Sequence, residues 1–301
     1  MKNSIKIAML GGDRRQIMSA VRLSERYDNI NIWGVGEAYA ADCDRLRLCR
    51  DPEECLEGAR VVVLPLPASS DGTSLNSPLV ENGERLKLSA LVRMLPRESL
   101  VIGGKIPQAF VSSAEEAGIS VIDYFDSEDF QIKNAYTTAE AALSIAMNTL
   151  DKNILGSRVA VTGYGRIAKH LCRLLLNMGA SVTVVARNPK DLLWAQASGC
   201  DVLMLDNEHK SLSKLQSGYD VIYNTVPFWL FDREYLKSLD KNTFIVDLAS
   251  APGGVDIRAA RELGSNVNWA TSLPGKYAPR SAGELIADCV GKLIEREVDS
   301  P

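Results

Sequence analysis

Short runs of β-branched and other apolar residues alternate with helix-period patterns along nearly the whole chain. The runs fall at residues 5–10, 30–33, 61–64, 100–102 and 119–122 in the first half. In the second half they fall at 158–162, 181–185, 201–203, 220–223, 243–247 and 266–269. Several are continuous rather than alternating, the pattern of parallel strands covered on both faces. Strand–helix alternation at this spacing predicts βαβ units, and two sets of them predict an α/β fold of two doubly wound, Rossmann-like domains. Between the sets, residues 137–150 (TTAEAALSIAMNTL) carry no Gly or Pro and predict a long hinge helix, preceded by a separate helix over 127–134. A hinge of this kind sets a cleft between the domains. The last helix, about 280–295, places Ala282, Leu285, Ile286, Cys289, Val290, Leu293 and Ile294 on one face. That is the stripe of an amphipathic helix, expected to cross back onto the first domain and close the cleft. The expected limits are 1–130 with about 279–301 for the first domain and 131–278 for the second.

Composition narrows the class. At roughly 150 residues per domain, 301 residues suffice for two cores. Hydrophobic residues at 46% and charged residues at 24% exclude a disordered tail, a collagen-like repeat and a disulfide-stapled miniprotein. A net charge of -4 argues against a nucleic-acid partner, which demands a concentrated basic surface. The longest apolar run, 61–66, contains Pro65 and is far short of the ~20 residues that span a bilayer. The amino terminus reaches Asp13 too early for a signal peptide, so no membrane association and a cytoplasmic location are expected. Cys43, Cys49, Cys55, Cys172, Cys200 and Cys289 contain no C-x-x-C and read as reduced thiols. The six-residue spacing of the first three is not that of a zinc site.

The clearest chemical motif is Gly163-Tyr164-Gly165-Arg166-Ile167-Ala168, which follows the strand RVAVT and opens a helix over 166–177. The first glycine permits a tight turn, the second lets backbone approach a pyrophosphate, and the small Ala168 lets helix and strand pack closely. Past the next strand the chain reads Ala186-Arg187-Asn188-Pro189, without the carboxylate that binds a ribose 2′-hydroxyl in NAD enzymes. Arg187, with Arg166 and Lys190 adding positive field, suits a 2′-phosphate, so NADP is expected over NAD; the alternative for Arg187 is a solvated loop cation. Asn224-Thr225-Val226-Pro227 and Asp247-Leu248-Ala249-Ser250 follow strand ends and are either nicotinamide neighbours or ordinary turn residues.

The first domain has its own strand–glycine turn–helix, Gly11-Gly12-Asp13-Arg14-Arg15-Gln16, in which Asp13 and Gln16 have the form of a capping box. Arg14 and Arg15 at a helix start are what a dicarboxylate substrate requires. Residues 65–78 form a long loop offering the Ser69, Ser70 and Thr73 hydroxyls and a close backbone approach at Gly72. Lys105 is another anion contact, and the segment 273–280 leads to Arg280, for which an ion pair with Glu284 is the alternative. His170 and His209 read as structural, and without a placed histidine base an alcohol or 2-hydroxy-acid dehydrogenase is disfavoured.

Gly11-Gly12-Asp13 with Arg15-Gln16, the Leu64-Pro65-Leu66-Pro67 loop, Asn134-Ala135-Tyr136-Thr137-Thr138-Ala139-Glu140, the glycine turn at 163–168 and Leu273-Pro274-Gly275-Lys276-Tyr277-Ala278-Pro279-Arg280 together resemble the dipicolinate synthase A subunits of spore-forming bacteria. The resemblance runs in order along essentially the whole chain. It implies NAD(P)-dependent oxidation of a dihydrodipicolinate, formed from 4-hydroxy-tetrahydrodipicolinate, to dipicolinic acid in the mother cell of a sporulating bacterium. It also implies that the partner is a flavoprotein-like B subunit; a homodimer or higher oligomer is expected. On that reading Arg14, Arg15, Lys276 and Arg280 divide the two carboxylates, while Thr137, Thr138 and Ser69 orient the ring. Lys276, Tyr277 and Thr138 are then the candidate catalytic groups. Alternatives are another two-domain NADP oxidoreductase of a small carboxylate, related to shikimate or hydroxyacid dehydrogenases, and an NADP-binding partner without chemistry of its own.

Overall fold

The computed structural model describes residues 3–36, 39, 46–80, 85–207 and 210–298. The chain forms two units, Met1–Lys133 with Ala278–Pro301, and Asn134–Tyr277.

In the first unit the apolar runs become β1 (Asn3–Leu10), β2 (Tyr27–Trp33), β4 (Val61–Val63), β5 (Leu100–Gly103) and β6 (Ser120–Asp123) of a parallel sheet. A short strand, β3 (Arg47–Leu48), joins one edge, so the order is β3-β2-β1-β4-β5-β6. Periodicity does not predict β3. Both its residues are exposed, and it exists through pairing with Asn31 and Ile32 of β2. The central strands are buried on both faces, which is why their runs are continuous. Ile7, Met9, Val61 and Val63 pack with Ile17 and Ala20 of α1 (Arg14–Leu23) and with Ile286 and Val290 of α11 (Pro279–Glu297). Ala8, Leu10 and Val62 face the other way, toward Cys55 and Leu56 of α2 (Pro52–Leu56), Leu91 of α3 (Leu88–Met94) and Phe110 of α4 (Gln108–Glu116). Where α1 meets α11, a Cβ built on Gly283 falls 2.5 Å from Met18 Cβ and 2.6 Å from the Arg15 carbonyl oxygen. Only hydrogen fits at that crossing.

The second unit repeats the plan. Its strands are β7 (Arg158–Thr162), β8 (Ser181–Ala186), β9 (Asp201–Met204), β10 (Val221–Asn224), β11 (Phe244–Asp247) and β12 (Val267–Trp269). They form a parallel sheet ordered β12-β11-β10-β7-β8-β9. Val159, Val161, Val184 and Val246 share a cluster with Leu171 and Leu175 of α6 (Arg166–Asn177) and with Ala142 and Ile145 of α5 (Glu128–Thr149). Ala160, Ile222 and Ile245 face Leu236 of α8 (Arg233–Ser238) and Ala259 of α9 (Ile257–Leu263). Each sheet has the strand order of a doubly wound fold, so its strand order reverses once, at β1/β4 and at β7/β10.

Two expected elements differ. The helices expected over 127–134 and 137–150 are one, α5, because nothing in residues 135–136 interrupts the backbone ladder. The segment after β12 coils into a short helix, α10 (Leu273–Tyr277), whose Pro274 lies in the first turn, where its missing N–H costs nothing. Among the described residues, no helix is long and apolar enough to cross a membrane.

Candidate functional site

In a doubly wound sheet, ligands lie beyond the carboxyl ends of the strands at the reversal point. In the second unit that point is occupied by the turn at 163–165 after β7 and by residues 224–227 after β10. Gly163 has φ +81, and a Cβ there would meet Thr225 Oγ1 at 2.7 Å. Its N–H donates to the Val185 carbonyl at 2.8 Å, which ties the turn to the end of β8. Gly165 caps α6 without any side-chain hydrogen bond, and nothing lies within 4 Å of where its Cβ would be. The N–H groups of the first turn of this 12-residue helix therefore lack a side-chain cap and sit beside open space, which suits an anion. Ala168 is fully buried at the helix–strand contact, Ile167 is half-buried and Arg166 is exposed.

Beneath this turn the strand ends are locked together. Thr162 Oγ1 donates to Asn224 Oδ1 at 2.5 Å, and Asn224 Nδ2 donates to Asp247 Oδ1 at 2.7 Å. Asp247 accepts further from the N–H groups of Ala249 and Gly254 at 3.1 and 2.8 Å. All three side chains are fully buried. Thr225 Oγ1 donates to the Thr162 carbonyl at 2.7 Å, and the Leu248 N–H to the Asn224 carbonyl at 2.8 Å. The turns at 224–227 and 247–250 are thus rigid shelves; Pro227 is exposed on the first.

A pocket of about 180 Å3 opens beside the glycine turn, and Gly163, Ala186, Arg187, Asn188 and Val226 all line it. Leu205, Phe228 and Leu230 supply apolar walls for which the sequence carries no local signal. Asn188 caps α7 (Pro189–Ala197), accepting from the Lys190 N–H at 3.0 Å. The chain lacks a carboxylate at the end of β8, yet Asp191, in the first turn of α7, lines the same pocket as Arg187. Tyr164 also lines this pocket, its hydroxyl donates to Ser198 Oγ at 3.2 Å, and the residue is buried. Burial raises its phenol above the usual range.

In the first unit the candidate substrate residues lie at the carboxyl end of the sheet. Asp13 caps α1, accepting from the Arg15 N–H at 3.0 Å. Gln16 does not close a capping box: its Nε2 donates to the Val63 carbonyl at 3.0 Å, and its Oε1 has no partner. Arg15 is not a free cation either. Its Nη2 donates to Asp13 Oδ2 at 2.8 Å and to the Leu66 carbonyl at 2.5 Å, and the residue is 6% exposed. Arg14 is exposed, with its guanidinium 6.0 Å from the Tyr39 ring centre. The loop over 65–78 is organised around Asp71, which accepts from the Thr73 and Ser74 N–H groups at 2.8 and 2.7 Å. Those bonds hold its carboxyl well below the usual range. Ser69 Oγ donates to the Ser74 carbonyl at 2.6 Å, and Gly72, with φ +78, turns in open space. Lys105 sits 4.6 Å from the Phe125 ring centre, and its N–H donates to Asp123 at 3.1 Å. The Tyr124 hydroxyl is buried without a partner, and burial raises its pKa.

The remaining candidates divide between helices. Thr137 is buried, and Thr138 Oγ1 donates back to the Asn134 carbonyl at 3.0 Å. Lys276 and Tyr277 end α10 and are exposed. Arg280 begins α11 and pairs with Glu284 at 3.0 Å, the local alternative that the spacing allows. His170 meets the edge of Tyr136, with ring centres 5.4 Å apart. His209 and Cys43 lie outside the described residues.

The family model for the N-terminal domain of the dipicolinate synthase A subunit matches residues 6–125, and the TrkA-N domain model matches 159–215. The chain is 28% identical over 295 residues to the dipicolinate synthase A subunit of Bacillus subtilis (strain 168), covering 98% of this chain and 97% of the relative. Among solved structures, it resembles the dipicolinate synthase A subunit from Bacillus halodurans at 25% identity and a TM-score of 0.83, over 98% of this chain and 99% of that one. A transhydrogenase from Sinorhizobium meliloti shares the fold, with a TM-score of 0.69 at 15% identity over 98% and 94%.

Proposed function

We propose that the chain, which is 28% identical over 295 residues to a dipicolinate synthase A subunit, oxidises a dihydrodipicolinate to dipicolinate with NADP+. One dihydropyridine ring loses a hydride to the cofactor and a proton to a base or solvent, giving dipicolinate, NADPH and H+. Aromatisation supplies the driving force, so the protein's task is positioning. The observation that carries the reading is the glycine turn at the strand reversal, where Gly163 lies too close to Thr225 for a Cβ, Gly165 faces open space and α6 begins without a side-chain cap. These residues fit a dinucleotide, which when bound supplies the hydride acceptor. Arg187 is assigned to a 2′-phosphate, opposed by the Asp191 carboxylate on the same pocket. Arg14, Lys105 and Lys276 are the candidate contacts for the substrate carboxylates, and Lys276 and Tyr277 the candidate proton acceptors.

A second reading is favoured by a specific observation. Arg15, Ser69, Thr138 and Arg280 all spend hydrogen bonds inside the chain. A protein that binds NADP and acts only with a flavoprotein-like partner accounts for that. The test mixes the purified chain with NADP+ and freshly generated 4-hydroxy-tetrahydrodipicolinate, following NADPH and dipicolinate together against a no-enzyme control. Stoichiometric appearance of both supports the oxidoreductase. Turnover only after the B subunit is added supports the second reading, and none in either case removes both.

A further inference from the structure

A depression of about 490 Å3 lies between α6 and α7 of the second unit, on the side of the glycine turn that receives the Tyr164 ring. Lys169 and Arg173 line it from successive turns of α6, which puts them on one face. Both are steadied by aromatic rings rather than by acids. Lys169 Nζ lies 5.7 Å from the Tyr164 ring centre, and the Arg173 guanidinium 5.9 Å from that of Tyr136. Neither has a carboxylate partner among the described residues. Trp194 of α7, 61% exposed, also lines it and brings an indole ring to the wall. Ser198 and Asn177 add hydrogen-bonding groups to the wall.

We propose that this depression binds a planar aromatic dicarboxylate. Two unneutralised cations on successive turns of one helix face, their Cβ atoms about 5–6 Å apart, suit two carboxylates in a meta relation on one ring. The exposed indole supplies a stacking surface that an isolated phosphate or aliphatic acid would leave unused. Tyr164, the middle residue of the glycine turn, also lines the depression, so the site adjoins that turn. Identifying the occupant as the product dipicolinate, and the site as a feedback site, rests on the reaction proposed above; the binding chemistry does not.

The experiment titrates the nucleotide-free chain with benzene-1,3-dicarboxylate and with pyridine-2,6-dicarboxylate, by calorimetry and tryptophan fluorescence. Saturable binding of both is expected, with quenching that Trp194→Phe abolishes. In Lys169→Ala/Arg173→Ala binding is expected to weaken by about tenfold or more, the worth of a lost charge-assisted pair. Both side chains are exposed, so melting temperature and NADP+ affinity should stay at the parent values. Absence of saturable binding, or equal affinity in the double variant, overturns the proposal. Binding lost in Arg14→Ala but kept in the double variant overturns it as well, by placing the dicarboxylate in the first unit. Because no readout requires turnover, a chain inactive toward dihydrodipicolinate still tests the site.

Discussion

Asn224 Nδ2 donates to Asp247 Oδ1 across 2.7 Å, with both side chains shut off from solvent. The bond ties the ends of β10 and β11 beneath the turns that flank the nucleotide pocket. Asp247 serves three donors at once, and each buried donor left without an acceptor costs about 1–3 kcal/mol. Asp247→Ala is therefore expected to lower the stability of the second unit by about 3 kcal/mol or more. Three of the four tryptophans, Trp194, Trp229 and Trp269, lie in that unit, so urea unfolding followed by fluorescence reads it directly. A midpoint within error of the parent would show that the network is not holding the strand ends.

Two opposite charges, Arg187 and Asp191, line one pocket beside the glycine turn, and the proposed use of NADP+ makes them the residues to test. Arg187→Ala should weaken NADP+ by about tenfold or more, the loss of a charge-assisted pair to phosphate, and leave NAD+ nearly unchanged. Asp191→Asn should shift the ratio the other way by removing repulsion. Equal losses for both dinucleotides in Arg187→Ala would assign that residue to the shared part of the cofactor.

Two glycines on α11 give an internal contrast. At Gly283 a Cβ would strike the Arg15 carbonyl oxygen at 2.6 Å and the Ser19 nitrogen at 2.9 Å, backbone atoms that cannot move aside. Gly283→Ala is expected to destabilise the first unit by about 1–3 kcal/mol through overpacking. At Gly291 the nearest atom is the mobile Arg26 Nη1 at 3.4 Å. Gly291→Ala should be neutral, or stabilising by up to about 1 kcal/mol from helix propensity. Thermal unfolding of the pair decides whether the close crossing or the helix propensity dominates.

Acid should not open the loop over 65–78 until well below the usual carboxylate range. The folded pKa of Asp71 is lowered by the Thr73 and Ser74 N–H groups, so its contribution is present above the unfolded pKa and is lost as pH falls through the folded one. Amide exchange at Thr73 and Ser74, corrected for intrinsic rates, should show constant protection from neutral to mildly acidic pH. In Asp71→Asn that protection should be weaker throughout. Equal protection in Asp71→Asn and the parent at neutral pH would show that these bonds do not hold the loop.

Much of the sheet architecture is legible in the sequence because parallel strands buried on both faces must be apolar at every position. Runs such as 61–64 and 158–162 record that directly, whereas β3 leaves no trace since both its residues are exposed. The glycine turn is legible for a related reason: a positive φ at Gly163, an uncapped helix start and a small Ala168 are all local requirements, written within six residues. Arg15 is the counterexample. Two arginines before a helix read alike, and only the arrival of Leu66, 51 residues later, makes one a buried clamp and leaves the other exposed.

What the sequence determined by itself was therefore periodicity, strand placement and the short motif, properties set by residues within a few positions of each other. Tertiary structure alone decided which polar groups meet. Strand order puts β10 beside β7, so Thr162 reaches Asn224 across 62 residues and Asn224 reaches Asp247 across 23. The same folding brings the Tyr164 hydroxyl to Ser198, 34 residues on. Hydrogen bonds and charges act over a few ångströms of space, and distance along the chain carries no record of which groups the fold brings that close.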